Sequence, residues 1–154
     1  MTAAESDRID RTIEINARPE DVWRALTNAQ DLSAWFQVSI EGTVAPDTEV
    51  WMTSTHPEHG GQRFRVRFTE MDPPHRFAWE WHPGAVDPAV DYSREQPTSV
   101  TFTLEPSAGG TRLTVLETGF NAIPFARRAK VYKDNSGGWA VVLGWLQTHV
   151  DKTH

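Results

Sequence analysis

Arg76-Phe77-Ala78-Trp79-Glu80-Trp81-His82 alternates large aromatic residues with small or charged ones, one residue at a time. A period of two is that of a β-strand with one covered face. Phe77, Trp79 and Trp81 fall on one side, and Ala78, Glu80 and His82 on the other. The same parity continues outward. Phe64, Val66 and Phe68 alternate with Arg63, Arg65 and Arg67, while Val100, Phe102 and Leu104 alternate with Thr101, Thr103 and Glu105. Strands are expected over 38–43, 49–55, 62–71, 76–82, 98–105 and 112–118. Between them lie Ala45-Pro46-Asp47, His56-Pro57-Glu58-His59-Gly60-Gly61, Asp72-Pro73-Pro74-His75 and Ser107-Ala108-Gly109-Gly110. Such clusters mark turns, and strands joined this closely form an antiparallel meander. The one long connection, 83–97, is polar, carries Pro83, Pro88 and Pro97, and reads as a lid or a mobile stretch near a pocket mouth.

The two ends of the chain supply what covers the aromatic face. Ile9, Ile13 and Ile15 share one parity, interrupted by Arg11, and predict an edge strand. Pro19-Glu20-Asp21 reads as the first turn of a helix running to about Thr27, with Asn28 as its stop. A second short helix, with Asp31 as its expected cap, contains Leu32, Ala34, Trp35 and Phe36. After a further helical stretch over 121–133, Asp134-Asn135-Ser136-Gly137-Gly138 is expected to cap or kink the chain. Val142, Leu143, Leu146 and Val150 then recur at helical spacing, a C-terminal helix of about ten to fifteen residues. Its apolar stripe and the aromatic sheet face each need a cover, and each provides the other's. The expectation is an α+β fold, one domain over residues 1–154, with an ordered core at about 8–150.

Composition narrows the function. No Cys is present, which removes disulfides, zinc-thiolate sites and cysteine nucleophiles. The formal charge of -6 argues against nucleic acid as a partner. No apolar run reaches the ~18 residues of a membrane span, and the polar first ten residues carry no visible targeting segment. A cytoplasmic protein without cofactor, metal, nucleic-acid or membrane partner is expected.

Several stretches, in order along the chain, carry a resemblance. They are Ile13-Glu14-Ile15-Asn16-Ala17-Arg18-Pro19-Glu20-Asp21-Val22-Trp23, Leu32-Ser33-Ala34-Trp35-Phe36 and Phe77-Ala78-Trp79-Glu80-Trp81, followed by Gly110-Thr111-Arg112-Leu113-Thr114-Val115, Gly119-Phe120 and Gly138-Trp139 with Val142, Leu143 and Leu146. The set resembles the START-like, or SRPBCC, superfamily, and within it the bacterial family homologous to the activator of the heat-shock-protein-90 ATPase. The resemblance implies a helix-grip fold, as in birch pollen allergen: a curved antiparallel sheet around a long C-terminal helix, with two short helices after the first strand. It also implies a deep cavity between sheet and helix. Function varies between branches, so the fold alone sets only a prior.

The candidate ligand-binding residues are therefore Trp35, Phe36, Trp51, Phe64, Trp79, Trp81, Phe102, Phe120, Trp139 and Leu143. A solid core is the alternative, since each buried aromatic contributes about 4–6 kcal/mol gross from its ~150–250 Å². Trp, however, tiles poorly and needs a partner for its N–H, which favours a pocket with apolar walls and a few polar anchors. Arg11 and Glu117 share parity with inward residues and are the candidate anchors, acting as a pair; strand-end residues reaching water are the preferred alternative. Glu80 and His82 point outward. His56 and His59 belong to a solvated turn rather than a metal site. Arg63, Arg65 and Arg67 form a basic stripe that is either paired with cross-strand acids or offered to an acidic partner. The leading expectation is binding of a small hydrophobic or aromatic molecule. The alternatives are a polyketide cyclase or aromatase type of enzyme using Glu117, and a chaperone-interacting protein or homodimer.

Overall fold

The computed structural model describes residues 7–58, 60–83, 89–92 and 94–153. The alternating segments pair into one seven-stranded antiparallel sheet: β1 (Arg8–Ile15), β2 (Val38–Glu41), β3 (Glu49–Ser54), β4 (Arg63–Asp72), β5 (Arg76–Trp81), β6 (Thr98–Ser107) and β7 (Gly110–Thr118). The spatial order is β1-β7-β6-β5-β4-β3-β2, so consecutive strands from β2 to β7 are neighbours and β1 closes the edge beside β7. A bulge between Phe68 and Glu70 shifts the register of β4 against β5 and turns the strand locally. The parity expected from the sequence holds: Val66, Phe68, Phe77, Trp79, Val100, Phe102, Leu113 and Val115 are all buried on the concave face.

Two short helices follow β1. Helix α1 (Pro19–Thr27) begins at its proline, with Glu20 and Asp21 in the first turn, and buries Val22, Ala25 and Leu26. Helix α2 (Ala29–Phe36) is capped by Asn28, whose side chain accepts from the N–H groups of Gln30 and Asp31. This corrects the expectation that Asp31 is the cap. Asn28 does both jobs, ending α1 through its N–H to the Arg24 carbonyl and starting α2 through its side chain. Asp31 instead meets His149 of the C-terminal helix at 2.9 Å.

The C-terminal helix differs most from expectation. Helix α3 (Phe125–Thr153) is continuous for 29 residues and passes straight through Asp134-Asn135-Ser136-Gly137-Gly138. Local propensity is against this, since each glycine costs roughly 1 kcal/mol relative to Ala in a helix interior. Tertiary contacts override it. Arg11 donates to both the Ser136 carbonyl (3.1 Å) and its hydroxyl (2.6 Å), Asn135 is hydrogen-bonded into the sheet, and Trp139 is buried directly after the glycines. Val131, Trp139, Leu143, Leu146 and Val150 form the buried stripe that the sheet grips.

Candidate functional site

Glu117 lies near the end of β7, opposite Val100 on β6 and Ile9 on β1. It is fully buried. Its Oε2 accepts from Thr98 Oγ1 (2.6 Å) and Trp81 Nε1 (2.8 Å), and its Oε1 accepts from Trp139 Nε1 (2.8 Å) and Asn135 Nδ2 (2.9 Å). Two donors come from β5 and β6 and two from α3, so the carboxylate fastens helix to sheet. Desolvating a carboxylate costs several kcal/mol. Four hydrogen bonds to a charged group, each worth ~1.5–3 kcal/mol, offset that cost. The expected reach to water does not occur here, because the strand end is roofed by α3.

The expected pairing of Arg11 with Glu117 is also absent. Arg11, half-buried on β1, gives its guanidinium to Ser136 and to the Asp10 carbonyl (2.7 Å). It positions the middle of α3 and leaves Glu117 with neutral donors only.

Three of the four residues that donate to Glu117 also line a half-open recess of about 90 Å³, formed by Phe36, Trp81, Asn135, Gly138, Trp139 and Val142. Asn135 supplies its one polar side chain. Phe36 and Trp81 stack at 6.2 Å and 30°, and Trp81 and Trp139 are 6.0 Å apart at 35°. The two indoles that define the walls are thus the two whose N–H groups are pinned by Glu117. The recess is smaller than the ~150 Å³ cavity that admits benzene, and below the roughly 300–1,000 Å³ of a drug-sized ligand's pocket.

The rest of the predicted aromatic set is spread more widely. Phe64 sits edge-on to both Phe36 and Trp81, one layer behind the recess. Trp79 and Phe102 are wholly buried, 5.1 Å apart, and pack beneath Trp139. Trp79 Nε1 has no hydrogen-bond acceptor among the described residues. Leu143 is buried on the α3 stripe. Trp35 is buried too, its N–H donating to the Ala25 carbonyl at 2.8 Å, which ties α2 to α1. Phe120 packs edge-on against Tyr132, not against the recess. Trp51 is the clearest correction. Its neighbours Val50 and Met52 take the inward parity, so Trp51 stands on the outer face, 36% exposed. There the guanidiniums of Arg63 and Arg65 lie 4.0 and 5.3 Å from its ring.

The outer face otherwise follows its solvated reading. Arg63 pairs with Glu41, Arg65 with Glu49, and Arg67 with Asp47 and Glu80. His82 meets the Glu95 carbonyl at 2.8 Å. His56 stacks on Trp145 of α3 at 5.3 Å and 24°, while His59 lies outside the described residues. Of the 83–97 connection, residues 84–88 and 93 lie outside them as well. The described remainder docks on the start of α3, where Arg127 meets both Glu95 and the Tyr92 ring. No helix among the described residues is long and apolar enough to cross a membrane.

Sequence reasoning alone misses Thr98, Asn135 and Gly138. Thr98 shares the inward parity of Val100 and Phe102, a usable signal. Asn135 and Gly138 sit in a stretch that reads as a helix break, which conceals their place on the helix.

The architecture has solved counterparts. A protein from Mesorhizobium loti is 26% identical and superposes with a TM-score of 0.75 over 96% of this chain and 98% of that one. A dimeric Aha1 from Colwellia psychrerythraea is 21% identical, with a TM-score of 0.68 over 93% and 95%. A protein of the dynemicin biosynthetic locus is 19% identical, with a TM-score of 0.69 over 94% of this chain and 47% of its own. No curated protein sequence matches. The family described as activator of Hsp90 ATPase homolog 1-like protein matches residues 16–151, nearly the whole chain, and the chain belongs to that family.

Proposed function

We propose that this protein binds a small apolar or aromatic-compatible molecule in the recess between the end of the sheet and α3. The observation that carries this reading is the pairing of an apolar opening with fixed walls: Trp81 and Trp139 line the recess while their N–H groups are held by one buried carboxylate. Walls fixed before the ligand arrives lower the ordering cost of binding. The size of the recess selects a compact group, with any remainder of the ligand lying outside. The family fold is one of ligand binding in general, which agrees with this reading.

Heteronuclear NMR of the indole N–H groups tests it during titration with small apolar and aromatic compounds. Binding at the recess moves the Trp81 and Trp139 signals and leaves Trp51 unmoved. If a broad panel leaves the Trp81 and Trp139 signals in place, the proposal fails. The geometry does not favour acid–base catalysis by Glu117, because each of its oxygens already takes two donors.

A further inference from the structure

Resting on that binding reading, we infer that the group received by the recess is a small organic cation, a methylated ammonium carried on a soluble small molecule. Three observations converge. First, Glu117 is a wholly buried carboxylate, and none of its four hydrogen-bond partners is positively charged. Among the described residues it has no ion pair; Arg11, on the neighbouring strand, is engaged by Ser136 and Asp10. Buried charges in proteins are ordinarily paired or hold a metal.

Second, three of the residues lining the recess are aromatic: Phe36, Trp81 and Trp139. The negative face of an aromatic ring attracts a cation, Trp most strongly, within about 6 Å of the centroid. Trp81 and Trp139 each donate an N–H to an anion, which pushes electron density into the ring and strengthens that attraction. Phe36, stacked against Trp81, adds a third aromatic surface.

Third, the lining among the described residues holds no basic side chain that would oppose a cation. The recess is too small for an extended apolar ligand; being half-open, it receives part of a compact, weakly hydrated head group, whose remainder lies at its mouth. A strongly hydrated metal ion would find only Asn135 as a ligand on its surface. A methylated ammonium needs no hydrogen bond, gains from the apolar walls, and brings the missing positive charge.

The test compares two probes on the unmodified protein. One is choline, and the other is its tert-butyl analogue, in which carbon replaces the charged nitrogen at the same shape. The expected result is that choline binds about tenfold more tightly, a ratio that converts to ~1.4 kcal/mol, and shifts the Trp81 and Trp139 N–H signals. Equal affinity for the two probes overturns the cation inference and leaves apolar binding standing. If neither probe binds, and neutral aromatic compounds move no indole signal, the binding reading falls with it. Gly138→Leu, which fills the recess without touching Glu117, is expected to abolish choline binding. Retained binding in that folded variant places the cation elsewhere and overturns the assignment.

Discussion

Tryptophans on the two faces of the sheet meet opposite charges in opposite ways. On the outer face, Trp51 lies under the guanidiniums of Arg63 and Arg65, so its ring face is already occupied by cations from its own chain. On the inner side, Trp81 and Trp139 have an anion at their N–H edges, and both line a half-open recess. The outer arrangement is complete and exposed, and its acids complete the charge balance. The inner one holds a buried carboxylate with no cationic partner among the described residues. The difference teaches that an indole count says little until the charge at each ring's edge and face is known.

Glu117→Gln is expected to cost the fold most. An amide keeps the shape of the side chain, but its nitrogen cannot accept, so two of the four donors lose their partner inside the protein. At ~1–3 kcal/mol for each unsatisfied buried donor, a loss of roughly 2–6 kcal/mol is expected in denaturant unfolding. If stability drops by less than about 1 kcal/mol, Glu117 is not the fastening described above. The same change at Glu49, Arg65's exposed partner (3.2 Å), is expected to cost no more than an exposed ion pair does, about 0–1 kcal/mol.

Gly138→Ala sharpens the inner half. A Cβ at Gly138 meets nothing within 4 Å, and the residue sits in mid-helix. The substitution should therefore gain the helix-propensity difference, about 1 kcal/mol, and raise the melting temperature by roughly 2–4 °C for a domain of this size. A fall in melting temperature would mean that the recess at Gly138 is not free space.

Much of the fold is legible in the amino-acid sequence. Strand parity around Trp79 and Trp81 correctly sets the covered face, because the side-chain period of a strand is geometric and no tertiary contact alters it. The helix caps and the site are less legible. Asn28 caps through local hydrogen bonds that leave it and Asp31 both eligible from sequence, whereas Asn135 and Gly138 are residues whose local preferences favour turns and whose role is decided by long-range contacts. Asn135-Ser136 remains helical because Glu117 and Arg11 hold it from strands far away in sequence. Trp51 is misplaced for a simpler reason: its size and apolar character outweigh its parity with Glu49 and Thr53, although Val50 and Met52 already occupy the inward positions.

Trp51→Leu probes the outer half at a smaller scale. It removes two exposed cation–π contacts that share one ring, each near the low end of about 0.5 kcal/mol, and should cost roughly 1 kcal/mol in urea unfolding while leaving choline affinity unchanged. A change in choline affinity would join two faces that the structure keeps apart.

The smallest effect concerns Glu14 on the exposed side of β1. The Ser107 hydroxyl, donating at 2.6 Å, holds the Glu14 carboxyl below its ordinary value, and Arg112, at 3.0 Å, adds to this. A carboxyl depressed in the folded state stabilises the fold above its unfolded value, ~4.3. That contribution disappears as pH falls through the lower folded value. Glu14→Gln should therefore leave the unfolding midpoint below that window unchanged relative to the parent and lower it slightly near neutrality, so that the two pH profiles converge on acidification. Because the group is fully exposed, the separation near neutrality is expected to shrink further as salt is added. Profiles that instead diverge toward low pH would show that the carboxyl is not held down by Ser107.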